Sequence, residues 1–103
     1  MSSTLPALFQ PIQVGDAKLA HRVVLAPQTR LRNTADHVPT DLVTEFYSQR
    51  ASIPGTLLIS EATYISPQAS GQPLAPGIWN DKQISAWKKV CPFPFSTLKY
   101  DWC

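Results

Sequence analysis

The strongest constraint on this chain is a short apolar run, Val23-Val24-Leu25-Ala26, that stops at Pro27 and gives way to the polar, basic stretch from Gln28 to Asn33. Four apolar residues with no polar alternation suit a strand covered on both faces, as in a parallel sheet. In α/β folds the loop leaving the C-terminal end of such a strand is where ligands sit. Gln28, Thr29 and Arg30 are therefore placed at a candidate functional rim. A plainer reading of the same residues is an ordinary turn hydroxyl beside solvated arginines.

A second run of the same kind, Leu57-Leu58-Ile59, ends in polar Ser60-Glu61 and the loop that begins at Ala62. Three blocks occur in order: LAPQTR at 25–30, SQRASIPGTLLISEATYISPQASG at 48–71 and PGIWNDKQISAWKKV at 76–90. Together they resemble the start of the Old Yellow Enzyme family of FMN-dependent reductases, over about Leu8 to Val90. Several ordered blocks are more specific than a lone short motif.

The resemblance implies an α/β fold that is the N-terminal fragment of a (β/α)8 barrel: a hairpin and the first two βα units. It places Pro27, Gln28 and Thr29 against the flavin ring, with Ala62 as the matching backbone contact. Gln28 stands where the family commonly has an apolar residue. FMN is the implied cofactor, NADPH the reductant, and the substrate a small activated alkene or aldehyde. The blocks around Tyr64 to Ala69 and Gly77 to Asp81 are most similar to fungal members, including those that act on an aldehyde intermediate of ergot-alkaloid synthesis. The family's flavin-binding glutamine, substrate-binding His/Asn pair, tyrosine acid and phosphate loops have no counterpart here, so no catalytic residue is assigned. The expectation is an inactive, truncated enzyme of this type.

Other function classes find little support. A net charge of +2 with no dense basic run argues against nucleic acid. No apolar run approaches the roughly 20 residues that span a bilayer. The opening Met1 to Pro6 lacks the features of a signal peptide, which leaves a cytoplasmic location as the expectation. Cys91 and Cys103 both lie at the end of the chain and are expected to stay unpaired, and they make no zinc site. His21 and His37 read as structural or exposed, and no metal is expected. Oligomeric state is left open.

In chain order, Ile12–Val14 and Ala17–Ala20 read as a hairpin turning at Gly15-Asp16. The strand at Val23 to Ala26 leads through a long polar loop to a helix with Thr40 as N-cap and Asp41 in its first turn. Leu42, Val43, Phe46 and Tyr47 form its core-facing stripe, and it ends at Arg50-Ala51 before Pro54-Gly55. After the second strand, a loop to about Trp79 is long enough to be either functional or disordered. Asn80 then caps a second helix with Gln83 as capping-box partner, and Ile84, Trp87 and Val90 fall on one face. Glu61, a charge at a strand end, reads as a loop or cap partner.

The helical pattern stops at Val90, because Pro92 and Pro94 forbid its continuation. Two segments follow: 1–90, the barrel-like portion, and 91–103, a divergent, unstructured tail. The abrupt change suggests translation through an unspliced intron or a shifted frame, and a genuine divergent tail that packs its aromatics is the alternative. A barrel needs about eight strands, and two parallel ones are legible here. The chain is therefore expected to be partly folded and aggregation-prone. An alternative function is a non-catalytic interaction protein that uses exposed strand edges or the aromatic tail.

Overall fold

The computed structural model describes residues 4–91. A 3-10 turn at Ala7–Phe9 precedes an antiparallel hairpin of β1 (Ile12–Val14) and β2 (Ala17–Leu19), paired Ile12 to Leu19 and Val14 to Ala17. Gly15 takes φ 58° at the turn, in the left-handed region that glycine enters without strain. Then come β3 (Val24–Leu25), α1 (Asp41–Arg50), β4 (Leu57–Leu58), a 3-10 turn at Pro67–Ala69 and α2 (Asp81–Val90). β3 and β4 are parallel, with Val24 opposite Leu57 and Leu25 opposite Leu58. The Ile59 N–H reaches the Leu25 carbonyl at 3.0 Å, extending the pairing one residue past β4.

The core lies between this pair and the two helices. Val43 and Tyr47 of α1 and Trp87 of α2 are buried together, with Leu25, Phe46, Leu58 and Val90 packed against them. Side chains alternate across a strand, so Leu25 and Leu58 share the helix-covered face while Val24, Leu57 and Ile59 share the other. Val24 is 38% and Ile59 43% exposed. The expectation of strands covered on both faces is thus corrected: among the described residues, both covering helices lie on one side.

The helix stripes need two further corrections. In α1 the buried positions are Val43 and Tyr47, four apart, while Leu42 is 58% exposed. In α2 the fully buried partner of Trp87 is Gln83, and Ile84 is exposed. A spacing of three drifts around a helix with 3.6 residues per turn, whereas 83, 87 and 90 stay on one face. The capping box of α2 is present as read: the Gln83 N–H donates to Asn80 Oδ1 at 2.9 Å, and Gln83 Oε1 accepts from the Asn80 N–H at 3.2 Å. Thr40 occupies the N-cap of α1 but makes no side-chain cap; its hydroxyl donates instead to the Arg32 carbonyl.

The hairpin meets the chain where β4 begins, through the Ala20 N–H to the Gly55 carbonyl at 3.0 Å. It closes the N-terminal end of the parallel pair, and the polar loops leave the opposite end. Cys91 is disulfide-bonded, contrary to the expectation of an unpaired thiol. The expectation for the tail lies outside the described residues. No described helix is long and apolar enough to cross a membrane.

Candidate functional site

β3 and β4 run side by side, so the loops after them leave on one rim. Pro27, Gln28 and Thr29 follow β3, Ala62 follows β4, and all four are exposed. The rim is tied across by the Arg30 N–H, which donates to Glu61 Oε2 at 3.1 Å. Arg30 is bonded to Thr29 and Glu61 to Ala62, so this one contact holds the two expected contact points as neighbours. Gln28, Thr29 and Ala62 make no hydrogen bond among the described residues, which leaves their backbone N–H groups and the Thr29 hydroxyl available to a ligand.

Glu61 is 2% exposed. Its backbone N–H donates to the Tyr47 hydroxyl at 2.9 Å, anchoring the end of β4 to α1. Its second carboxylate oxygen, Oε1, is buried and has no hydrogen-bond partner among the described residues. Burial pushes the Tyr47 phenol above its ordinary value; the Glu61 N–H opposes this, the Glu61 carboxylate adds to it, and the Arg30 guanidinium opposes it. A cleft of about 230 Å³ opens beside this group and is lined by Arg30, Arg32, Phe46, Arg50 and Glu61, among others. The Arg30 and Arg50 guanidinium groups lie 4.8 and 3.8 Å from the centre of the Phe46 ring.

Behind the rim the two long loops interlock. The Asn33 side-chain amide and backbone N–H both donate to the Leu74 carbonyl, at 2.7 and 3.2 Å. His37 Nδ1 donates to the Ala75 carbonyl at 2.6 Å, and the Gly77 N–H donates back to the His37 carbonyl at 2.8 Å. Tyr64 closes the second loop on itself through Pro76 and Ile78. Of the two readings for the loop after Ala62, disorder is thereby set aside for the described conformation. Leu31, His37 and Leu74 adopt φ of 57°, 61° and 65°, a left-handed conformation that is unfavourable for a branched residue such as leucine.

Both histidines are structural, as read. His21 Nδ1 accepts the Val23 N–H, so Nε2 carries the proton and donates to the Thr56 hydroxyl at 2.8 Å. No group of three or more metal-ligating side chains occurs among the described residues. Sequence reasoning placed Glu61 as a loop partner, which it is, but missed its burial, the Tyr47 anchor and the role of Asn33. A carboxylate next to an apolar run was the available signal for Glu61; nothing local marks Asn33.

The family model described as NADH:flavin oxidoreductase / NADH oxidase family matches residues 7–92. The NADP-dependent oxidoreductase lnbE of Aspergillus flavus is 55% identical over 83 residues, covering 81% of this chain and 22% of that protein. A chanoclavine-I aldehyde reductase of Penicillium roqueforti matches with the same identity and coverage. The crystal structure of Old Yellow Enzyme from Pichia sp. AKU4542 superposes with a TM-score of 0.79 at 49% identity, covering 82% of this chain and 22% of that one. The chain spans about a fifth of the length of these relatives.

Proposed function

This chain belongs to the NADH:flavin oxidoreductase / NADH oxidase family, the Old Yellow Enzymes, and on that premise we propose that it forms the flavin-contacting edge of an FMN-dependent, NADPH-using reductase. Pro27, Gln28, Thr29 and Ala62 are the residues that would lie against the ring. One observation carries the reading: two loop segments with unpaired donors leave the C-terminal ends of paired parallel strands on a single rim. Those residues fit a flavin. The Thr29 hydroxyl and the free N–H groups can donate to the polar edge of a ring, and the single methyl of Ala62 leaves room for close approach. When bound, FMN supplies hydride transfer from NADPH to an activated alkene or aldehyde. The chain's own part is to orient the ring and to stabilise the added electron density with hydrogen bonds.

The relative that acts on chanoclavine-I aldehyde supports a role in fungal ergot-alkaloid synthesis for the enzyme type. The 103 residues by themselves are proposed to be inactive. Barrels of this kind hold phosphate with loops after the seventh and eighth strands, and the described residues contain two parallel strands. FMN contact through the ring edge alone is therefore expected to be weak.

The test is a titration of the isotope-labelled chain with FMN, followed by amide chemical shifts. The Gln28, Thr29 and Ala62 amides are expected to shift, inorganic phosphate alone is expected to leave them in place, and NADPH is expected not to be consumed. Shifts scattered over the chain, or absent at millimolar FMN, would refute the flavin reading. NADPH consumption stimulated by FMN would refute the inactivity.

A second reading, a non-catalytic interaction protein, is favoured by the exposed apolar side chains of Val24 and Ile59 and by the two edges of the parallel pair, unpaired among the described residues. Recovery of a stoichiometric partner by pull-down, lost on substituting Val24 and Ile59 with threonine, would support it.

A further inference from the structure

We infer that Glu61 is a positioning residue whose side chain fixes the Thr29–Arg30 peptide plane on the flavin-facing rim, an inference that rests on the flavin-contacting reading above. A peptide unit is planar, so a hydrogen bond at one end sets the direction of the other. The Arg30 N–H belongs to the same plane as the Thr29 carbonyl, and Glu61 Oε2 holds that N–H at 3.1 Å. The Ala62 N–H belongs to the same plane as the Glu61 carbonyl. That carbonyl accepts the Thr63 hydroxyl at 3.0 Å and the Ser60 hydroxyl at 3.3 Å. In a trans unit the N–H points opposite to the carbonyl, so these two hydroxyls aim the Ala62 donor.

Glu61 itself is held from α1, by its backbone N–H on the Tyr47 hydroxyl at 2.9 Å. The path runs from a buried helix residue, through Glu61, to both loops. The Arg30 amide faces the loop after β4, not its own.

The test uses the full 103-residue chain and its variants Glu61→Ala, Glu61→Asp and Glu61→Gln, with two readouts. The first is hydrogen exchange of the Arg30 amide without FMN, with the α2 amides as a check that the chain keeps its fold. The second is the FMN-induced shift at Thr29, with Ala62, whose donor is aimed by backbone contacts that all three variants keep, as the internal control. Glu61→Gln keeps an oxygen at the same reach and is expected to stay within threefold of the parent in exchange and to keep the shifts. Glu61→Asp is one methylene short and is expected to speed Arg30 exchange at least tenfold and to halve the Thr29 shift or more, as is Glu61→Ala. If Glu61→Ala loses the fold, the contrast between Asp and Gln decides.

Unchanged Arg30 exchange in the Asp variant would overturn the inference, and so would faster exchange with the Thr29 shift intact, which would make the tie merely structural. If exchange responds as expected but the parent gives no FMN shifts, the flavin reading fails. The hold of Glu61 on the peptide would then stand without that role.

Discussion

Replacing Gln83 with leucine removes a polar side chain that is fully enclosed at the start of α2. Its Oε1 accepts the Trp79 N–H at 2.8 Å and the Asn80 N–H at 3.2 Å, and its Nε2 donates to the Asp36 carbonyl at 3.1 Å. Asn80 is exposed, so water takes over its N–H at little loss. The half-buried Trp79 N–H and the Asp36 carbonyl lose their partners, and two such groups left unsatisfied cost about 2 to 6 kcal/mol. Native-state hydrogen exchange of the α2 amides measures this without requiring a cooperative global transition. At about 1.4 kcal/mol per tenfold, exchange should accelerate by roughly 30-fold to 20,000-fold. Asn80→Ala removes only the cap, worth about 1 kcal/mol, and should accelerate it roughly fivefold. Gln83→Leu exchange within threefold of the parent would show that the enclosed amide does not hold α2 against the loop at Asp36.

Further outcomes follow from single contacts. Gly55 sits at φ 81°, and a Cβ there would fall 2.6 Å from the Ala20 Cβ; Gly55→Ala should therefore destabilise the hairpin junction by about 1 to 3 kcal/mol, read as faster exchange of the Ala20 amide. Because burial raises the Tyr47 phenol, the folded chain keeps a proton that the unfolded chain releases. That contribution is present in full below about pH 10 and is lost as pH rises through the higher folded value. A stability profile from pH 8 to 12 should fall at its alkaline end, and Tyr47→Phe should flatten that fall while costing about 1 to 3 kcal/mol at neutral pH for the orphaned Glu61 N–H. Trp87→Phe removes the indole donor that reaches the Gly77 carbonyl at 3.0 Å and should speed Gly77 exchange roughly 5- to 150-fold, equivalent to about 1 to 3 kcal/mol.

The amino-acid sequence by itself determined where the elements lie. Val23 to Ala26 and Leu57 to Ile59 are apolar runs cut off by polar residues, and the parallel pair forms inside both. Asn80 and Gln83 specify the start of α2 with side chains three residues apart, a signal contained within one helical turn. Gly15-Asp16 does the same for the hairpin. Each of these rests on chemistry between near neighbours, which a linear pattern records directly.

Tertiary structure decided which face of each element is covered and what the charged groups do. Leu42 and Val43 are adjacent apolar residues, and only the position of the Trp87 side chain and β3 makes Val43 the buried one. Val24 and Ile59 are as apolar as Leu25 and Leu58 yet lie exposed, because both helices pack on one side. Glu61 shows the limit most clearly. Its partners are Arg30 and Tyr47, 31 and 14 residues away in sequence, and neither spacing has a periodicity that a one-dimensional reading could detect. Bringing the carboxylate out of water is unfavourable unless the Arg30 N–H is in place to donate to it and the Tyr47 hydroxyl to accept the Glu61 N–H, so its role exists only once the strands have paired and α1 has docked.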